Sequence, residues 1–147
     1  MYSALVIASK FIQLGIQKGK PVNPMKLQKM VYFAHGLHLA RNNKPLINEE
    51  IEAWSYGPVI PSIYHEVKQF GNNEIEENVL DYRLRNLDSD AEHTINLTWE
   101  VTKNMSAVQL SNWSHIDGSP WEKTYDGEKH KVIPNEVIKE YFSKAIV

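Results

Sequence analysis

Three groups of residues carry side chains able to do chemistry. His35 and His38 stand three apart, a spacing that sets both rings on one side of a helix and could offer two nitrogen ligands to a metal ion. Two ligands do not close a site, and no acidic partner lies at an obvious spacing. The pair therefore reads as half-buried side chains on an amphipathic helix. His65 and Glu66 pair an imidazole with a carboxylate, the groups of general acid–base catalysis. As neighbours on a helix they point about 100° apart, and no third residue is placed to orient either. Ser114, His115 and Asp117 are the residue types of a nucleophilic triad. Adjacent side chains rarely converge, however, and the glycine-flanked nucleophile elbow is missing. There is no phosphate-binding loop and no dinucleotide fingerprint. No catalytic residue, metal or cofactor is assigned on these grounds.

The elements that must position these residues are mostly helices. Residues 2–18 form the first, with Leu5, Ala8, Ile12 and Ile16 on one stripe and Ala4 and Phe11 widening it. Asn23 and Pro24 start the second, as N-cap and first helical residue. Leu27, Met30, Val31, Ala34 and Leu37 or His38 make its inner stripe, while Lys26, Lys29 and Arg41 are expected to be more solvated. From Ile47 to Ala53 alternate residues share one parity, which allows a short extended piece. Gly57 and Pro58 then set a turn, and Pro61 starts a helix that carries Ile63, Tyr64, Val67 and Phe70 to a stop at Gly71.

Over residues 74–88, Leu80, Leu84 and Leu87 suit a helix, and an irregular or short extended segment fits almost as well. Ser89 with Glu92 has the spacing of a capping box and begins a helix over about 90–103, with Ile95 and Trp99 inward. Ser106 with Gln109 repeats the pattern for a short helix bearing Leu110 and Trp113. Ser119 and Pro120 start another turn with Trp121, and Asp126-Gly127 is a turn. A last helix runs from Pro134 to about Lys144, with Val137, Ile138, Tyr141, Phe142 and Ala145 inward. The expected architecture is a mainly α bundle of six or seven helices in one domain over 1–147, with a short β element allowed near residues 47–54.

Composition narrows the function classes. Sixteen Lys and Arg stand against eighteen Asp and Glu, a net charge of −2, so no overall basic field draws the chain to nucleic acid. The acidic neighbours of Trp54, namely Glu49, Glu50 and Glu52, disfavour nucleic acid at that point and suit a protein partner. The absence of cysteine excludes disulfides and thiolate metal sites and permits a reducing compartment. The apolar start has no basic leader and reads as a helix rather than a signal peptide. No run is long enough to span a membrane, and a cytoplasmic location is expected.

Aromatic residues are numerous for this length, and Trp and Tyr are typical anchors of protein interfaces. Three stretches of the chain matter most here: Met25 to Ala40, Glu50 to Gly71 with its Ala-Trp-Ser-Tyr-Gly-Pro-Val-Ile-Pro-Ser-Ile-Tyr core, and Leu110 through Ser114-His115 to Ser119-Pro120-Trp121. Together they resemble the Panacea domain, the family of SocA-like antitoxins and of the phage-associated protein GepA. The resemblance spans about Ser3 to Phe142. The family more often has Thr where this chain has Ser114.

The resemblance implies a helical antitoxin module that binds and neutralises a cognate protein toxin, encoded by an adjacent gene. It also implies, for an adaptor, a bacterial protease as second partner. Trp54, Tyr56, Gly57, Pro58, Pro61, Tyr64, His115, Pro120 and Trp121 are its structural signature or partner-binding residues. The expected arrangement packs the Trp54–Tyr64 connector with His115 and Trp121 in one central aromatic cluster, so that Tyr56→Ala mainly destabilises the fold. Two other readings stand beside it: a small hydrolase using His115 or His65, and a phage-encoded regulator that binds a host protein.

Overall fold

The computed structural model describes residues 1–128 and 130–145. Its centre is the helix α2, Pro24–Asn42, which packs against α1 (Ala4–Gln17), α4 (Ser89–Thr102), α5 (Ala107–Ser114) and α7 (Asn135–Ala145). A helix enclosed on so many sides has little solvent face, so its polar residues must find partners inside. Gln28, Lys29, His35 and His38 are all buried. Lys29 was expected in solvent as a cation off the apolar stripe. The structure corrects this: α5 and the β hairpin cover the side of α2 that an isolated amphipathic helix would leave wet.

His35 is held by accepted and donated bonds in turn. Its Nδ1 lies 3.3 Å from both the Leu46 and Ile47 N–H groups, which can only donate, so Nε2 carries the proton toward Asn135 Oδ1 at 2.9 Å. His38 Nδ1 meets Thr94 Oγ1 at 2.8 Å and Asn42 Nδ2 at 3.0 Å. The two rings therefore serve separate packing contacts, and no metal-holding group of three His, Asp or Glu occurs among the described residues.

Helix starts follow local chemistry. Asn23 accepts from the Lys26 N–H, Ser106 and Gln109 form the full reciprocal box, and Ser119 accepts from the Glu122 N–H at the start of α6, Pro120–Thr124. For α4 the cap is Asp88, whose Oδ1 accepts from the Ala91 N–H at 2.8 Å; the expected Ser89 is already helical. Asp88 also accepts the Tyr2 hydroxyl, at 3.1 Å. Residues 74–88 take the irregular alternative, with one short 3-10 turn at Asp81–Arg83.

A small antiparallel sheet in the order β2-β1-β3 joins β1 (Ile51–Trp54), β2 (Gly57–Val59) and β3 (Lys131–Ile133). The Gly57-Pro58 turn expected from the sequence is displaced. Ser55 and Tyr56 form the two-residue tip, and Gly57 and Pro58 belong to β2, pairing with Trp54 and Ala53. Pro58 is tolerated because β2 is an edge strand. Helix α3, Pro61–Val67, follows directly, with Ile63 and Val67 buried.

Candidate functional site

The β1–β2 hairpin is the site's frame, and side chains from three helices satisfy its backbone. From α2, the Gln28 amide clasps Ile60, donating from Nε2 to the carbonyl at 3.0 Å and accepting from the N–H at 2.9 Å. The next residue, Lys29, donates from Nζ to the Pro58 carbonyl at 2.9 Å. Ser111 of α5 donates to the Tyr56 carbonyl at 3.3 Å, and Trp121 of α6 donates from Nε1 to the Trp54 carbonyl at 2.6 Å. The Lys29 bond satisfies the β2 edge where no further strand pairs, the Gln28 pair fixes the residue that follows it, and the Ser111 and Trp121 bonds hold the tip and the end of β1.

Gly57 is required twice over. Its φ of +121° suits glycine, and a Cβ there would lie 2.9 Å from Lys29 Nζ and 3.1 Å from Ser114 Oγ. The close approach lets α5 and α2 both reach the strand. Burial lowers the Lys29 pKa to about 8, and Lys29 forms no salt bridge among the described residues.

The signature rings lie in two groups. Trp54 meets Tyr64 edge-on at 5.1 Å and His130 at 5.4 Å, and its Nε1 donates to Glu52 Oε1 at 2.9 Å. Trp121 lies edge-on to His115 at 5.4 Å and stacks on Tyr125 at 4.8 Å. The Trp121–Trp54 hydrogen bond is the link between them. Pro120 is buried at the first turn of α6, and Pro61 opens α3 in the same way. Tyr56 belongs to neither group: at the hairpin tip its side chain leaves the residue 80% exposed. The expectation that Tyr56→Ala mainly destabilises the fold is therefore corrected, because truncating an exposed ring removes little buried area.

The residues of possible catalysis are not assembled. The Ser114 hydroxyl donates to the Ser111 carbonyl at 2.7 Å rather than to His115. His115 Nδ1 is buried without a partner among the described residues, and Asp117 is exposed. His65 and Glu66 lie exposed on α3, the imidazole edge-on to Tyr64 at 5.6 Å.

Between the hairpin, α3 and the start of α2 lies a groove of about 470 Å³. Trp54, Tyr56 and Tyr64 line it together with Met25 and Val67. Met25 and Tyr64 are each 40% exposed, so the groove opens beside the Tyr56 ring. Two of the three acidic residues near Trp54 in sequence have partners: Glu49 accepts the Ala4 N–H at 2.9 and 3.0 Å, and Glu52 holds Trp54 and His130, while Glu50 is exposed. Gln28, Lys29 and Ser111 are the site residues that sequence reasoning missed. Their only advance signal is their place on helices with too many apolar flanks to leave a wet face.

The family described as Antitoxin SocA-like, Panacea domain, matches residues 27–122. Across 154 aligned residues the chain is 33% identical to Antitoxin SocA of Caulobacter vibrioides (strain NA1000 / CB15N), covering 95% of this chain and 81% of that protein. No solved structure matches. Among the described residues no helix is long and apolar enough to cross a membrane.

Proposed function

This chain belongs to the SocA-like, Panacea-domain antitoxin family, and we propose that it neutralises a cognate protein toxin in the cytoplasm by binding it, as one domain, through the hairpin face. The observation that carries this reading is the setting of Tyr56. Its ring is 80% exposed while its own carbonyl is bonded to Ser111 and the flanking strands are clasped by α2 and α6. An aromatic displayed on a fixed backbone loses little conformational freedom on binding, which is what an interface anchor requires. The neighbouring groove, walled by Met25 and Tyr64, receives side chains of the partner.

Binding alone accounts for neutralisation, and no step of it uses a catalytic group. Delivery of the bound toxin to a bacterial protease is a second use of the same complex. The test is co-expression with the product of the adjacent reading frame. A stable complex that co-purifies and restores growth supports the reading; rescue of growth without any complex contradicts it. Following the toxin's level after synthesis is stopped separates the two modes, since delivery removes the toxin and simple blocking preserves it.

A further inference from the structure

The groove beside Tyr56 contains a charge that its apolar walls do not explain. Among the described residues only two charged ones line it, Lys29 and Lys68, and no Asp or Glu does. Lys68 is exposed, with its ammonium 5.9 Å from the centre of the Tyr64 ring. Lys29 is 4% exposed, and its Nζ has one hydrogen-bond partner, the neutral Pro58 carbonyl. Burying an ammonium without a counter-charge is costly. The same burial lowers its pKa to about 8, which still leaves it mostly protonated near neutral pH. Two N–H donors of the ammonium have no hydrogen-bond acceptor among the described residues. The Pro58 carbonyl needs only a neutral donor at this position, so the full positive charge calls for a use.

We propose that Lys29 receives an acidic side chain of the toxin: a Glu or Asp flanked by apolar residues enters the groove, its carboxylate meets the Lys29 ammonium, and its neighbours pack on Trp54, Tyr56 and Tyr64. This rests on the toxin-binding reading and names the chemistry that the site recognises. Charge complementarity selects an anion, because the lining has two cations and no acid. The scarcity of donors selects a carboxylate over a phosphate. Of the two cations only Lys29 is buried, Lys68 being exposed, and a single buried ammonium matches a single negative charge. The aromatic walls then exclude water from the pair and strengthen it.

The test uses the full chain, isotope-labelled for NMR, and two capped peptides, acetyl-Leu-Glu-Phe-amide and acetyl-Leu-Gln-Phe-amide. The Glu peptide is expected to shift the resonances of Lys29, Tyr56 and Tyr64 and to bind at least about tenfold more tightly than its Gln twin. In Lys29→Gln, which keeps a donor for the Pro58 carbonyl, that preference is expected to vanish while the hairpin amide pattern persists. Equal binding of the two peptides by the unaltered chain overturns the proposal without recourse to any variant. So does a preference that survives Lys29→Gln, or a thymidine oligonucleotide that occupies the same site more tightly than the Glu peptide. Because the toxin takes no part in this experiment, its outcome is separate from the co-purification that tests toxin binding itself.

Discussion

Trp121 donates its indole N–H to the Trp54 carbonyl at 2.6 Å, joining α6 to the last residue of β1 across 67 positions of sequence. Two motifs that are far apart along the chain are thus one structural unit. The bond holds the strand end from which the Ser55–Tyr56 tip departs, while Ser111 holds the other side of that tip. The orientation of Tyr56 follows from these two contacts.

Trp121→Phe keeps a ring against His115 and Tyr125 and removes only the N–H. It is expected to cost about 1 kcal/mol, the usual net worth of such a bond, with a further penalty if the Trp54 carbonyl stays dry. Urea unfolding checks the value; an unchanged midpoint would show that the bond does not hold the hairpin.

Gly57→Ala combines a disfavoured φ with a Cβ 2.9 Å from Lys29 Nζ and 3.1 Å from Ser114 Oγ. It should destabilise by roughly 1–3 kcal/mol or more. Gly19→Ala, also at positive φ but with nothing within 4 Å, is the control that carries the backbone strain alone and should cost less.

The helix boundaries were legible because their causes are local. Asn23-Pro24, Ser106 with Gln109, and Ser119-Pro120 each cap a helix through a backbone N–H three residues away. β3 was not legible: Lys131–Ile133 becomes a strand by pairing with β1, and nothing within its three residues demands that. Gly57-Pro58 resembled a turn because its composition suits one, whereas its glycine serves a strand pressed against Lys29. Lys29 itself was misplaced since periodicity identifies a helix's most apolar face and is silent on whether the other faces are covered. Asp88 and Ser89 are both good caps, and the Tyr2 hydroxyl bond to Asp88 lies 86 residues away from any local pattern.

Lys29 makes stability depend on alkaline pH. Its pKa is about 8 in the fold and 10.5 ordinarily, so between these values the unfolded chain binds a proton that the folded chain has released. Stability attributable to this group therefore rises with pH through that window, by up to about 3 kcal/mol. Ser114 and His115 approach the same spot from α5. Comparing the unaltered chain with Lys29→Met by denaturant unfolding from pH 8 to 10.5 isolates the effect: the difference between them should shift in favour of the unaltered chain as pH rises.

His35 acts at the other end of the scale. Burial is the main cause that lowers its pKa below the ordinary 6.5, and the Asn135 bond opposes this. As pH falls below 6.5, the unfolded chain gains a proton that the buried ring refuses, and stability drops. His35→Leu should lose part of that acid sensitivity. It should also cost about 2–4 kcal/mol at neutral pH by stranding the Leu46 and Ile47 N–H groups.

The most direct measurement of the central claim is the affinity of Tyr56→Ala for the adjacent-gene toxin, taken beside its unfolding midpoint. An exposed anchor on a clasped hairpin predicts at least about a tenfold loss of affinity with the midpoint unchanged. Full affinity in a folded Tyr56→Ala, or a loss of binding that appears only with unfolding, would contradict recognition through the hairpin face.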